Sequence, residues 1–525
     1  MSDNTVTKKT LGGRCLDAIE RVGNKLPPPA ILFCWLFLIV AVIGAIFTVT
    51  DFSMINPAIK DPAKAIVKSQ NLFSANGLNW LLTNLVKNFT NFAPLGLVIT
   101  MTLAIGMCEE AGLLRALISK CMRNVPPTLV PFVVAFLGTC GNIASDTAMI
   151  VIPPMAAIAY IGVGKNPIVG MINGYAGAQA GFSANIMIAG TDSLLQGLTN
   201  LAIKGFVPDS TFTVEVTCNW FFMMASTFMC AIVIGGVSTW IVEPRFGKYE
   251  GSADEKIEAL TPEQSRGLRN AGLVALVYIA LMVAGFMWGP LAKINPDGSR
   301  VFVGSLMLKG LIPLLFFFFA LCGITYGYTA GTIKSTSDLN KGMVHQAKGM
   351  GAYIVFCFFA GQFNMLFNWT KLGTMLAIGG ANFLKGIGFV GIPMCVAFIL
   401  LSMVVNLFVS SGSAKWAIFA PIFVPMFMML GYHPGFTQLL YRLGDSPTNA
   451  FTPMSPYIWM VLSVAQAKYD DNLKIGTLIA NLVPIAFWLQ IVWIIFFIVW
   501  DYFGLPIGPG VTSAIPAELA HIVIH

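Results

Sequence analysis

Seven stretches of roughly twenty apolar, almost uncharged residues recur along the chain: 30–50, 167–190, 219–242, 271–289, 310–329, 349–367 and 475–500. Each is long enough for a helix to cross a hydrocarbon core about 30 Å thick. Within lipid, backbone N–H and C=O groups must pair internally, which leaves helices or closed barrels as spanning structures. Runs of this length are helical spans. A shorter run at 93–108 and a fainter one at 451–467 bring the expectation to about nine. The composition agrees: 56% of the 525 residues are hydrophobic and 10% are charged, where soluble domains carry about 25% charge.

Two regions break the pattern. Apolar runs 128–143 and 147–163 flank Ala144, Ser145 and Asp146, and runs 387–410 and 414–432 flank Ser411, Gly412 and Ser413. These turns are too short and too poor in charge for solvated loops, so they read as tips of re-entrant hairpins. Two ordinary antiparallel spans joined by a tight turn are the alternative. The two regions also resemble each other: each leads from a small polar tip into a Pro-containing apolar run, and each is followed by a second polar cluster, at 190–193 and 443–446. Interrupted segments at matching places in two halves point to a transporter site between repeats. The expected fold is an all-α polytopic membrane protein with about nine transmembrane helices and two re-entrant hairpins in two inverted repeats. Its expected divisions are a cytoplasmic segment 1–28, a first repeat 29–243 with hairpin 128–163, and a linker 244–270. A second repeat 271–504 with hairpin 387–432 and a tail 505–525 follow.

The net charge of +7 is spread over short loops rather than gathered on one face, so it reads as a determinant of orientation and not as a nucleic-acid surface. Lys8, Lys9, Arg14, Arg21 and Lys25 before the first span, and Arg245, Lys248, Lys256, Arg266 and Arg269 between the halves, place the N-terminus and the linker in the cytoplasm. The ten cysteines include no C-x-x-C pair, and the four histidines lie outside the long apolar runs. Metal, haem and Ser/His/Asp centres are therefore disfavoured. Gly386 to Gly391 matches G-x-G-x-x-G but neither follows a strand nor opens a βαβ unit, and no Walker A sequence is present.

Charge within hydrocarbon costs several kcal/mol, about 2.5–3.5 on insertion scales, and needs a partner or a function. The candidates are Asp146, Asp192, Lys415, Arg442 and Asp445. Arg442 and Asp445, three apart, share a helix face. Either they pair with each other, or Arg442 grips a substrate carboxylate while Asp445 holds the coupling cation or a proton. Asp192 ends a segment containing Gly181, Ser183, Asn185 and Gly190, which unwinds readily and offers carbonyls. Asp192 is then a substrate or cation ligand, or an interfacial cap or pair. Ser145 and Asp146 sit at the first tip, Asp146 as site member or N-cap. Ser411 and Ser413 open a half-helix whose N-terminus favours an anionic group. Trp416 stacks on a flat ring or anchors at the interface. Asn406 gives its carbonyl to Na⁺, with Asp445, or makes an interhelical hydrogen bond. Pro434 sets a break before Arg442. Lys415 is expected to snorkel to the aqueous side of the tip. Glu109 and Glu110 end a short span and reach an interface.

At these residues the chain resembles the p-aminobenzoyl-glutamate transporter (AbgT) family. The resemblance rests on SGSAKWAIFAPIFVPMFMMLGYHPGF (411–436), RLGDS (442–446), SDTAMIVIPPM (145–155), IVEPRFGKYEG (241–251) and GLPIGPG (504–510), with a shorter match at NFAPLG (91–96). It implies a homodimer in a bacterial inner membrane and movement of p-aminobenzoyl-glutamate or related aromatic carboxylates. For some members it implies efflux of sulfonamide antimetabolites, driven by Na⁺ or H⁺. Asp192, Asn406, Ser413, Trp416, Pro434, Arg442 and Asp445 match its site positions. No cofactor beyond the coupling ion is expected. A passive channel for organic anions is the main alternative, and an intramembrane enzyme a remoter one.

Overall fold

The structure, a computed structural model, describes residues 27–56, 65–122, 125–144, 147–247, 260–294, 298–302, 305–409, 411–452 and 455–524. The expectations for Ser145 and Asp146, and for most of the N-terminal segment, lie outside them. The protein is predominantly helical. In chain order the principal helices are α1 (Pro29–Val49), α2 (Ala75–Thr90), α3 (Ala93–Glu110), α4 (Leu113–Met122), α5 (Val130–Gly141), α6 (Thr147–Ile161), α7 (Pro167–Ala180), α8 (Gly190–Phe206) and α9 (Trp220–Val237). The second half follows with α10 (Pro262–Met287), α11 (Leu311–Ala330), α12 (Thr336–Gly349), α13 (Gly351–Trp369), α14 (Leu372–Gly386), α15 (Ile392–Asn406), α16 (Gly412–Met429), α17 (Pro434–Asp445), α18 (Pro456–Lys468) and α19 (Ile475–Tyr502). Two small antiparallel ribbons, Ser53–Ile55 with Ile66–Lys68 and Lys293–Ile294 with Arg300–Val301, close loops.

Among the described residues, six helices are long and apolar enough to cross a membrane: Ala30–Val49, Trp220–Phe246, Pro262–Met287, Leu311–Ala330, Gly412–Met429 and Ile475–Tyr502. The arms α5 and α6 have 12 and 15 residues and α15 has 15. At 1.5 Å per residue these reach only about 18–23 Å, short of the hydrocarbon core.

The run at 167–190, expected as one span, is two elements. Helix α7 ends at Ala180, residues 181–189 are not helical, and α8 starts at Gly190. Gly181, Ser183 and Asn185 are poor helix formers. The Cβ of any larger residue at 181 would come within 2.5 Å of Thr139 Oγ1. The second half repeats the arrangement: α17 ends at Asp445, a short 3-10 turn Pro447–Ala450 follows, and α18 starts at Pro456. Both pre-break helices open alike. Asn166 Oδ1 accepts the Ile168 N–H ahead of α7 and His433 Nδ1 the Gly435 N–H ahead of α17, each with Pro in the first helical position.

Packing between the halves is reciprocal. The first arm of each hairpin lies on the helix before the break, α5 on α7 and α15 on α17. The helix after the break crosses to the second arm of the other half, α8 on α16 and α18 on α6. Likewise α1 lies on α13, α11 on α3, and α9 on α19. Glycines set the closest crossings. A Cβ on Gly177 would come 2.7 Å from Ala135 O, and one on Gly444 would come 2.2 Å from Ile399 O. The chain end folds back on the second half: His433 N–H donates to Ser513 O, Ile515 N–H to Gly431 O, and Ile524 N–H to Met429 O.

Candidate functional site

Both breaks converge on two buried ion pairs. Arg442, in the last turn of α17, reaches Asp192 in the first turn of α8: Nη1 lies 2.6 Å from Oδ1. Arg442 Nη2 donates to the carbonyl of Ser183 within the unwound 181–189 segment, at 2.6 Å. Asp192 Oδ2 accepts the Ala189 N–H at 2.7 Å, so the carboxylate both caps α8 and neutralises the guanidinium. Ser446 Oγ accepts the Ser183 N–H and donates to the Arg442 carbonyl. Arg442 and Asp192 are 2% and 6% exposed. The cap and the pair weighed for Asp192 are both present, and the residue lies deep in the packing of the two halves. Arg442 Nε, both polar atoms of Asn185 and Ser193 Oγ are buried without a hydrogen-bond partner. Such orphaned groups are rare in folded cores and mark places that accept a ligand or water.

The second pair is Lys415 with Asp445, Nζ 2.5 Å from Oδ1, at 1% and 4% side-chain exposure. The expectation that Lys415 snorkels to water is overturned. It points into the protein because a buried carboxylate and the Asn406 amide oxygen await it there. Of the two alternatives weighed for Arg442 and Asp445, the mutual pair is not formed, since each has its own partner on another helix. The single Tyr441 O–H proton is shared between two acceptors, the Gly412 carbonyl at 2.6 Å and Asp445 Oδ1 at 3.0 Å. Asn406, at the end of α15, does make interhelical hydrogen bonds. Its Nδ2 faces Asp445 O, Thr448 Oγ1 and Asn449 Oδ1.

Trp416 is fully buried, which rules out the interfacial anchor. Its Nε1–H faces Leu195 O and Thr199 Oγ1 at 3.2 and 3.1 Å, and its ring stacks on Tyr441 with centroids 4.7 Å apart. Ser411 Oγ accepts the Ala414 N–H as the N-cap of α16 and lies 3.1 Å from Ser413 Oγ, both serines half-buried at the tip. Pro434 is the first residue of α17, away from the charged pairs, where it fixes the start of the helix that carries Arg442. Sequence reasoning placed Ser446 in the polar cluster without giving it a role, and missed Tyr441, Thr448 and Asn449, which line the same breaks. Their nearness to RLGDS was the available signal.

A separate cavity of about 330 Å³ lies where α3 and α4 meet the first hairpin, lined by Glu109, Glu110, Arg115, Gly141, Ala148 and Val151 among others. Neither ion pair lines it. Glu109 and Glu110, expected at an interface, border this cavity, with Glu110 exposed.

The profile of the AbgT putative transporter family matches residues 14–515. The chain is 38% identical over 517 residues to the p-aminobenzoyl-glutamate transport protein of Escherichia coli (strain K12), covering 97% of this chain and 99% of that one. Two solved structures share the fold. The MtrF protein of Neisseria gonorrhoeae, described as illuminating a class of antimetabolite efflux pumps, superposes with a TM-score of 0.87 at 36% identity, over 95% of this chain and 100% of that one. The YdaH transporter of Alcanivorax borkumensis superposes with a TM-score of 0.84 at 33% identity, over 92% and 100%.

Proposed function

The chain belongs to the AbgT putative transporter family, and on that premise we propose that it is a secondary transporter moving p-aminobenzoyl-glutamate or a related aromatic carboxylate, driven by a cation gradient. It is a multi-pass membrane transport protein and not an enzyme. The observation that carries the substrate reading is the Arg442 guanidinium, 2% exposed at the meeting of two helix breaks, with Nε unpartnered beside its bond to Asp192. A guanidinium binds carboxylates through paired N–H donors. A substrate carboxylate takes over part of the role Asp192 fills in the closed protein, and exchange between the two couples cargo to movement of the breaks. Trp416 of α16 and Tyr441, which precedes Arg442 on α17, supply flat aromatic rings beside it. Antimetabolite efflux is carried as a further role of the same site, by analogy with the Neisseria protein.

The reciprocal contacts and the three short arms α5, α6 and α15 support two inverted repeats with re-entrant hairpins as the moving frame, with α16 the one longer arm at 18 residues. The same reading takes the protein as a homodimer of a bacterial inner membrane, with a cytoplasmic N-terminus. Uptake of labelled p-aminobenzoyl-glutamate into proteoliposomes, with Na⁺ and pH gradients imposed one at a time, tests it. Saturable, gradient-driven uptake supports the reading. Uptake that no gradient alters refutes the coupling, and no uptake at all refutes the substrate.

A further inference from the structure

The end of α15 and the second break gather five oxygens around the Asn406 amide and the Lys415 ammonium: Asp445 Oδ1 and O, Asn406 Oδ1, Thr448 Oγ1 and Asn449 Oδ1. A carboxylate, amide carbonyls, a hydroxyl and a backbone carbonyl are the donor set of a hard cation. Two nitrogens of the protein sit among them. Lys415 Nζ lies against Asp445 Oδ1 and Asn406 Oδ1, and Asn406 Nδ2 faces the other three oxygens. Those three acceptors fix the amide so that its oxygen must face the ammonium. We propose that the Lys415 ammonium is the resident cation of this cluster, in the position a coupling Na⁺ would take, so that transport by this chain needs no Na⁺ there.

Three features hold the ammonium in place. Lys415 is 1% exposed, and a lysine is buried to that degree only when paired. Its neighbour Trp416 is held by Leu195 and Thr199 of α8 and by the Tyr441 ring of α17, which fixes the turn of α16 that aims Lys415 at α15 and α17. Asp445 is steadied by the Tyr441 hydroxyl, so the carboxylate cannot swing to another partner without losing that bond. A second unit charge about 4 Å from the ammonium, at an effective dielectric of about 20, is disfavoured by roughly a thousandfold in binding constant. Na⁺ is therefore excluded while Lys415 remains. The inference rests on the cation-coupled transport reading and specifies which ion does not serve at this cluster.

Two measurements test it on the full-length protein. In proteoliposomes at fixed pH and membrane potential, replacing Na⁺ by choline should change wild-type p-aminobenzoyl-glutamate flux by less than about twofold, while Lys415→Ala flux should rise at least about tenfold with Na⁺. In detergent, NaCl but not choline chloride should raise the melting temperature of Lys415→Ala and leave the wild type unmoved. A Na⁺-specific stabilisation of the wild type, or folded Lys415→Ala that ignores Na⁺ in both assays, overturns the proposal. If Lys415→Ala does not fold, the wild-type melting comparison decides alone. Absence of flux under every condition would defeat the substrate reading, and the melting comparison would still judge the lysine.

Discussion

Removing one member of the Arg442–Asp192 pair should cost more than removing both. Arg442 and Asp192 are 2% and 6% exposed, and Nη1 and Oδ1 are 2.6 Å apart. Asp192→Ala leaves a guanidinium in the core with Nε already unpartnered and the Ser183 carbonyl as its acceptor. Stranding one charge of a buried pair costs about 3–5 kcal/mol. Asp192 Oδ2 also caps α8 through Ala189 N–H, and losing such a cap adds about 1 kcal/mol. Asp192→Ala should therefore lose about 4–6 kcal/mol and Arg442→Ala about 3–5 kcal/mol. The double variant strands no charge, keeps only the cap and packing losses, and should be no less stable than Arg442→Ala alone. Equilibrium unfolding in mixed detergent micelles, followed by Trp fluorescence, gives all four corners of the cycle. Losses that add to within about 0.5 kcal/mol would show that the two groups do not interact, and the reasoning would fail.

Gly444→Ala forces a Cβ to within 2.2 Å of Ile399 O and 2.6 Å of Ser402 Cβ; it should cost at least about 1–3 kcal/mol, whereas Gly96→Ala, with nothing within 4 Å, should be neutral in the same unfolding assay. Trp416→Phe keeps the ring on Tyr441 but deletes the Nε1–H facing Leu195 and Thr199, so a loss of about 1–3 kcal/mol is expected, smaller than the roughly 3–5 kcal/mol of Trp416→Ala; equal losses would remove the stacking from the account. At the start of α12, outside the spans, bonds from Lys341 first, then Lys334 and Ser335, hold the Asp338 carboxyl down at about 2. Because the folded value is depressed, this cap's contribution is full above the ordinary carboxylate range and fades as pH falls from about 4 toward 2. Amide protection at the first turn of α12, taken relative to the intrinsic exchange rate at each pH, should fall over that window, and unchanged protection would contradict the capping role.

The spans were legible because lipid demands length and apolarity together, and 30–50, 219–242 and 475–500 supply both. The breaks were partly legible. Gly, Ser and Asn at 181–190 advertised unwinding, but the run still counted as one span because hydropathy does not register helix propensity. Helices α2, α4 and α14 escaped notice since their polar faces interrupt the apolar runs. At the site, the residue types were visible and the pairing was not. Spacing along one helix suggested Arg442 with Asp445, yet partners came from α8 and α16, contacts between distant segments that no local pattern encodes. Lys415 was misread for the same reason: a lysine beside a hairpin tip looks solvent-bound until the carboxylate facing it is placed.

The account stands on Arg442 and Asp445 being the working charges of a transport site rather than struts. Flux of labelled p-aminobenzoyl-glutamate should be measured in proteoliposomes for Arg442→Ala and Asp445→Ala, each first shown to be folded and monodisperse. Gradient-driven uptake by the wild type and background uptake by both variants is the predicted result. Wild-type rates in either folded variant would contradict it.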